Sequence, residues 1–549
     1  MKKKLLTALV IIVLVCGFVV ASGQTAETTA TDVQLSTPGQ FPIVSETLNL
    51  TGHVQANAQI TDFQTSALAV WMEEQTNIHI EWDAIPRSGD SKTKWVLMLN
   101  SGEKLPDIML GMSITHDEKY LYGSQGFFLP MNDYIEKQGF YINDVLKASP
   151  MFVKESAGPD GNVYVLTAYE ECYHCGVAQK VWYNQIWLDN LDMEVPTTTE
   201  EFRDMLRAFK TQDPNQNGKA DELPFSGFTG SWRTKPWPFL MNAFIYTNDN
   251  DMLNVEGDKI IASFVQPEWR EGMRYINSLF EEELIDEQMF VRDSSALKQL
   301  VEGEYNRVGA APAGHRGMLG AYRGEMEGGS GDFRALTPLK GPKGHQTAGY
   351  FPFGPKQSDS AAITKDSMYP EAVYKWLDLT YSQDFSIRNW FGELGKNWKW
   401  PDADAVGIDG GKAIFQYIGV DPMFMSPQYN EGWVHSSPFF MPSRLFGGQA
   451  GVPGAFNYEG FLITESHKYY PYLPEQWVPQ MAHSAEDAEA IAELRTVVNT
   501  FVDESAAKFV TGRLDINNDA VWQDFLSELD KIGLDEYLQI MNKTYERYK

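Results

Sequence analysis

Asn77-Ile-His-Ile-Glu-Trp-Asp-Ala-Ile85 places Ile78, Ile80, Trp82 and Ala84 at every second position, the period of a strand with one buried face. A short helix through Trp95-Val96-Leu97-Met98-Leu99 leads from it to Leu105-Pro-Asp-Ile-Met-Leu110, an apolar strand with a turn before it. Strand, helix and strand in succession are the unit of an α/β domain, and the alternation continues outward in both directions. Downstream, Thr198 stands three residues ahead of Glu201 as a capping box. Phe202, Met205, Leu206 and Phe209 follow at the spacing of one helical face. Trp269, Met273, Ile276 and Phe280 trace a second such face. Pro370 opens a third, with Ala372, Val373, Trp376, Leu377 and Tyr381 on its inner side. The last hundred residues read as mainly helical, through Ile491, Leu494, Val498 and Phe501 and then Trp522, Phe525, Leu526 and Leu529. Residues 309–358 and 401–460 are rich in Gly and Pro with weak periodicity and read as long loops. No internal repeat is present.

The chain has 549 residues and a mass of 62.0 kDa, too long for one small core, so two lobes are expected. With 45 Lys and Arg against 74 Asp and Glu, its formal net charge is −29. Such a surface repels phosphate backbones and anionic lipid, which argues against a nucleic-acid or membrane-surface partner. Lys2, Lys3 and Lys4 precede an apolar run from Leu5 to Val20, and Ala21, Ser22 and Gly23 follow. That is the order of an export signal over residues 1–23, with a mature chain beginning between Ser22 and Thr25. A polar, flexible tether is expected over 24–40. Val13-Leu-Val15 precedes Cys16 where a lipoprotein signal carries a small residue, so lipidation at Cys16 is the alternative mode of retention.

Two cysteines remain, in Glu171-Cys-Tyr-His-Cys-Gly176. Outside the cytosol, a Cys172–Cys175 disulfide stapling a local loop is the expected state. A redox motif lacks its usual short βαβ setting here, and two cysteines with one histidine fall short of a four-ligand zinc site.

Asp213-Pro-Asn-Gln-Asn-Gly-Lys-Ala-Asp-Glu222 carries side-chain oxygens at positions one, three and five and Gly at six. Calcium takes six to eight oxygens around a tightly turned backbone, and this spacing supplies them. Asp213, Asn215, Asn217, Asp221 and Glu222 are the candidate side-chain ligands, with the carbonyl of Lys219. Position twelve of the usual loop is Pro224, so the closing carboxylate must come from Glu222. A polar turn after the preceding helix is the bland alternative.

Fifteen Trp and 25 Tyr are many for this length. Sugars present apolar C–H faces ringed by hydroxyls, which aromatic faces beside Asp, Asn, Glu and Arg complement. Trp71, Trp269, Trp376 and Trp522 lie on apolar helical faces and are assigned to packing. Trp232, Arg233, Trp237, Asn397, Trp398, Trp400 and Trp433 lie among polar or Gly-flanked loop residues and are candidates for ligand contact. Arg233 and Arg316 would bind a carboxylate if the ligand is acidic.

A set of short stretches appears in order: Lys104-Leu-Pro-Asp-Ile108, Gly126-Phe-Phe-Leu-Pro-Met-Asn-Asp-Tyr134, Pro159-Asp-Gly-Asn-Val-Tyr164 and Trp187-Leu-Asp-Asn-Leu191. Pro196-Thr-Thr-Thr-Glu-Glu-Phe202, the Asp213 loop, Glu283-Leu-Ile-Asp286 and Pro370-Glu-Ala372 follow. Together they resemble the extracellular solute-binding proteins of family 1, the maltose-binding-like group, and the Asp213 loop resembles that of the alginate-binding and LipO-like branch. The resemblance spans about residues 41–549. It implies a two-lobed periplasmic-binding-protein-like fold (type II), each lobe a sheet flanked by helices, with a ligand in the cleft and closure by hinge bending. It further implies a structural Ca2+ ion, an ABC importer permease as partner, and a monomer working in the periplasm or at the outer face of the membrane. By the same analogy the first lobe comprises 41–165 and 346–395, and the second 166–345 and 396–549. Tyr169, Glu170, His315 and Arg316 join the ligand candidates because the corresponding segments reach the cleft.

The competing reading is a secreted glycoside hydrolase or polysaccharide lyase. Hydrolysis needs two carboxylates at a fixed separation, and no motif singles out such a pair. There is no GxSxG elbow, HExxH helix or P-loop lysine. A surface scaffold would carry repeats. The expectation is therefore a binding protein, not an enzyme, for a small polar solute of oligosaccharide type.

Overall fold

The computed structural model describes residues 33–56, 60–86, 91–352, 354–418, 430–452, 456–481, 483–484 and 486–549. The expected signal segment, Cys16 and most of the tether lie outside them. Order begins earlier than expected: Leu35 bridges Val44 and the Ser36 N–H donates to the Ile43 carbonyl, so residues 35–40 belong to the compact body.

Six strands build the larger sheet: β1 (Leu48–Ala56), β2 (Ile78–Pro86), β3 (Ile108–Leu110), β4 (Leu166–Glu170), β11 (Gly354–Ile363) and β14 (Phe440–Met441). Their order is β14-β4-β11-β3-β1-β2. β1 runs parallel to β2 and β3, whereas β11 lies antiparallel between β3 and β4. The stretch from Asn77 thus forms β2, paired with β1 from Leu48↔Ile78 to Ala56↔Pro86. Trp95 and Leu99, on the Ser91–Asn100 helix, bury against Met109 and Phe128 behind this sheet.

The smaller sheet holds β5 (Lys180–Asn184), β6 (Leu223–Phe225), β9 (Val308–Ala313) and β10 (Phe333–Ala335) in the order β10-β5-β9-β6. The Thr199–Thr211 helix covers it, and its capping box forms as the sequence predicts. The Glu201 N–H donates to Thr198 Oγ1 at 3.2 Å, and the Thr198 N–H donates to Glu201 Oε2 at 3.1 Å. Phe202, Met205, Leu206 and Phe209 are all buried. On the Pro267–Glu281 helix, Trp269 stacks on Trp522 and Phe525 with centroids at 6.1 and 5.9 Å. The helices Ala488–Val510, Asp519–Lys531 and Leu534–Tyr548 therefore complete the core of this half.

The remaining strands are a hairpin of β7 (Leu253–Glu256) and β8 (Lys259–Ala262) and a small sheet of β12 (Trp398–Lys399), β13 (Phe415–Tyr417) and β15 (Gln449–Ala450). β10, β13, β14 and β15, and all of β9 but its first residue, lie inside stretches expected to be loops. β9 reads Val308-Gly-Ala-Ala-Pro-Ala313, small residues buried on both faces, so it carries no alternation to detect.

Sheet membership moves the lobe boundaries. β4, expected to open the second lobe at residue 166, is a fully buried inner strand of the larger sheet. β14 pairs with it, Phe440↔Tyr169, so the chain expected to join the second lobe from residue 396 still belongs to the first at residue 441. Among the described residues three connections can be followed between the two halves: residues 171–179 from β4 to β5, residues 336–352 from β10 toward β11, and the return to the Tyr458–His467 helix, which is described from residue 456. The last of these rejoins the smaller sheet, where Glu465 Oε2 accepts the Ala335 N–H.

Candidate functional site

The connections meet where β4 ends and β5 begins, and the candidate residues divide around that point. Trp232 and His315 come together. His315 follows directly on β9, and the N–H of Gly314 donates to the Trp232 carbonyl at 3.2 Å. A Cβ on Gly314 would lie 2.0 Å from Trp232 Cε3, so only glycine lets the indole lie against the strand end. Trp232 remains 37% exposed, a large aromatic face held in place with one side open. The His315 ring is tilted against it at 6.2 Å, and His315 Nδ1 lies 2.9 Å from Tyr458 Oη. Tyr458 Oη also accepts the Gly317 N–H at 2.8 Å. Burial, then the neighbouring His174 and Lys180, pushes His315 down to about 3, so the imidazole is neutral at ordinary pH.

The arginines are already engaged. Arg316 is fully buried, stacked over Phe461 at 3.6 Å and paired with Glu325, which also holds Arg334 at 2.7 Å. Arg233 lies over the Phe351 ring at 3.2 Å and pairs with Asp249, while Asn250 Oδ1 accepts from it at 2.8 Å.

Three of the loop tryptophans are packing residues. Trp433 is fully buried, stacked on Phe63 at 4.6 Å and on Trp376 at 5.9 Å, and its Nε1–H donates to Ser66 Oγ at 2.7 Å. Trp398 is fully buried, and its indole N–H donates to the Gly392 carbonyl. Trp237 packs edge-on against Trp269. Their Gly- and Pro-flanked sequences implied free loops, but each loop folds back on its own lobe. Trp400 projects beside Trp398 and is half exposed, and Asn397 caps its own turn by accepting the Glu393 N–H. Tyr169 is buried between Phe152 and Phe440, and Glu170 is buried at the end of β4.

Tyr458 and Glu459 were not singled out by sequence, and His174 entered it only as the histidine between the two cysteines. His174 sits inside the Cys172–Cys175 disulfide loop, and its Nδ1 lies 2.8 Å from Glu459 Oε1. Cys172, His174 and Cys175 form a close-set group of metal-ligand type among the described residues, but the disulfide leaves neither sulfur as a thiolate.

The Asp213 loop turns tightly on itself. Asp213 accepts the N–H groups of Asn217 and Gly218 at 3.1 and 3.0 Å, and Asn217 Oδ1 accepts the Lys219 N–H at 2.7 Å. Asn215 Oδ1 accepts from the Asn217 N–H, and Asp221 Oδ1 from the Asn217 amide. Glu222 Oε2 accepts the Asp221 N–H, while Glu222 Oε1 is buried with no hydrogen-bond partner. Burial, then the charges of Asp213 and Asp221, raises the Glu222 carboxyl above its ordinary range. Arg307 offsets part of this charge from 3.2 Å beside Asp221.

Residues 57–384 match the family model for bacterial extracellular solute-binding proteins. The chain is 27% identical over 493 residues to the fructooligosaccharide ABC transporter substrate-binding protein FusA of Streptococcus pneumoniae, covering 87% of this chain and 86% of FusA. Lipoprotein LipO of Bacillus subtilis is 22% identical over 375 residues, 66% of this chain and 68% of LipO. Among solved structures, FusA in complex with kestose superposes with a TM-score of 0.78 at 24% identity, over 91% of this chain and 99% of FusA. An EF-hand mutant of FusA in complex with fructo-nystose gives 0.77 at 23% identity, covering 91% and 99%. The alginate-binding protein AlgQ2 without calcium ion gives 0.71 at 20% identity, covering 92% and 99%. The fold is that of the two-lobed solute-binding proteins, and no helix among the described residues is long and apolar enough to cross a membrane. This chain belongs to the bacterial extracellular solute-binding proteins, the substrate-binding components of ABC importers.

Proposed function

We propose that the protein captures a neutral oligosaccharide between its lobes and delivers it to an importer without chemical turnover. The observation that carries this reading is the half-open indole of Trp232, held by Gly314 beside the His315–Tyr458 pair at the point where the lobes connect. An indole face with one side open suits the C–H face of a pyranose or furanose ring. Both arginines that would have greeted a carboxylate are spent on Asp249 and Glu325 within their own lobe. The overall charge of −29 also opposes a polyanion. The FusA complex with kestose, a neutral sugar, supports the same class. A ligand that interacts better with the closed form shifts the population toward it, and the permease then distinguishes loaded from empty protein.

The test is a thermal-shift and calorimetric titration with kestose and with uronate oligomers of similar length, followed by product analysis. Kestose at a hundred times its dissociation constant should add about 2.7 kcal/mol of apparent stability, with the sugar recovered intact. Hydrolysed sugar would replace the binder by the glycosidase reading, and preferential binding of uronates would overturn neutrality.

We also propose that the Asp213 loop holds a structural calcium ion. Asp213, Asn215, Asn217, Asp221 and Glu222 would supply side-chain oxygens and Lys219 its carbonyl. The buried, unpartnered Oε1 of Glu222 among mutually repelling carboxylates is the feature that fits a cation. Bound there, calcium would supply the positive charge that lets these oxygens face one another. The FusA EF-hand mutant and calcium-free AlgQ2 support a loop of this kind in related folds.

A further inference from the structure

The disulfide loop is itself the first of the connections between the lobes, linking β4 to β5, and touches the second and the helix at which the third ends. The N–H of Phe351, on the second connection, donates to the Gly176 carbonyl at 2.8 Å. His174 pairs with Glu459 in the first turn of the helix that ends the third, and both side chains are about nine-tenths buried. Further along that chain, Tyr470 stacks on Tyr173 at 4.2 Å and its hydroxyl donates to the Tyr173 carbonyl. Lys180 Nζ, buried at the start of β5, donates to the carbonyls of His174 and Val177 and so fixes the turn from inside.

A local staple would need none of these outward contacts. The disulfide spans only three residues, with Cα atoms 5.2 Å apart, so its direct effect is to hold one turn rigid. That turn offers His174 to Glu459 and the Tyr173 carbonyl to Tyr470, both on the chain that follows the third connection, and the Gly176 carbonyl to Phe351 on the second. We propose that the Cys172–Cys175 loop is a hinge clasp: it binds the three connections into one unit, and thiol reduction releases it. The two lobes then sample more open arrangements, and the fraction competent to close on ligand falls. Release is a two-electron exchange in which the S–S bond breaks and each sulfur takes up a proton. An external dithiol supplies both electrons and both protons and leaves as its own disulfide.

The inference assumes the ligand-driven closure proposed above, but its first readout does not need a ligand. Hydrogen exchange of the ligand-free protein is followed across residues 348–352 with the disulfide intact and after dithiothreitol. Reduction should speed exchange there by about tenfold or more, against little change in the Thr199–Thr211 helix. Glu459→Gln should loosen the third connection with the disulfide still formed, and Cys172→Ser with Cys175→Ser should reproduce reduction. Kestose affinity should weaken by roughly three- to tenfold in each case. Unchanged exchange at 348–352 on reduction overturns the clasp, and so does an equal rise throughout the chain, which marks a global stabiliser. A wild-type protein that fails to bind kestose defeats the sugar reading alone, and the exchange result still decides the clasp.

Discussion

Trp232 and Trp433 look alike in sequence and do opposite things. Each lies within two residues of a glycine, in a polar stretch without helical or strand periodicity. Trp433 closes a cluster with Phe63, Trp82 and Trp376, and its N–H is answered by Ser66, 367 positions away. Gly432 permits this because a Cβ there would come within 2.2 Å of the Asn389 carbonyl oxygen. Trp232 is gripped from one side by Gly314 and keeps the other side open. Flanking residues report how freely the backbone can turn. What an aromatic meets after the turn is decided by distant chain.

The sharpest way to break the comparison is Trp433→Ala. Removing a buried indole should cost about 3–5 kcal/mol in denaturant unfolding, while kestose affinity of the folded fraction stays within about twofold. Lost affinity without lost stability would make Trp433 a ligand residue after all. Calcium removal comes next: if the ion is bound at a hundredfold excess over its dissociation constant, chelation should lower stability by about 2.7 kcal/mol. Asp213→Ala with Asn217→Ala should abolish that response and leave the Phe63–Trp433 packing intact in the spectrum of aromatic ring resonances.

Trp232→Ala should invert the Trp433 result. Unfolding should shift by no more than about 0.5 kcal/mol, whereas sugar binding should weaken about tenfold, or about 1.4 kcal/mol. The smallest effect is titration beside Trp232. His315 resists protonation in the fold, at about 3 against its ordinary 6.5, so the unfolded chain takes up the proton first as pH falls. Its contribution is whole above pH 6.5 and is lost on acidification toward pH 3, by about 1 kcal/mol between pH 6.5 and 5.5. His315→Gln should remove that slope in pH-dependent unfolding, and Trp433→Phe should leave it.

The sequence carried the regular parts well. β2, the Thr198 capping box and the buried faces of the Thr199–Thr211 and Pro370–Leu379 helices follow from local period alone. β9 escaped because six small buried residues have no amphipathic contrast, and β14 and β15 because two-residue strands have no period. The lobe boundaries slipped for a related reason: β4 is buried on both faces, and nothing in Leu166–Glu170 says which sheet it joins. In the candidate site, Trp232 was legible as a loop aromatic beside charge, whereas His315 and Arg316 entered together through the resemblance, and nothing in the sequence said that Arg316 would be fully buried. Its partners Glu325 and Phe461 are a ring and a carboxylate brought in by separate segments. Tyr458 and Glu459 carry no motif, and their importance appears only when His315 and His174 arrive beside them.

The late arrival of the second lobe's core sets the order in which the molecule is made. Ile260 in β8 gives its N–H to Asn542, 282 positions later, and Trp269 waits for Trp522 and Phe525. At a synthesis rate of about 5–20 residues per second, roughly 15 to 60 s separate the emergence of that strand from its partner. Through that interval the larger sheet is also unfinished, because β11, which lies between β3 and β4, and β14 beside β4 are made only at residues 354–363 and 440–441. A ribosome or translocation channel therefore handles a chain neither of whose lobes closes early: the first waits for the strand at residue 441, the second for almost the last turn of helix.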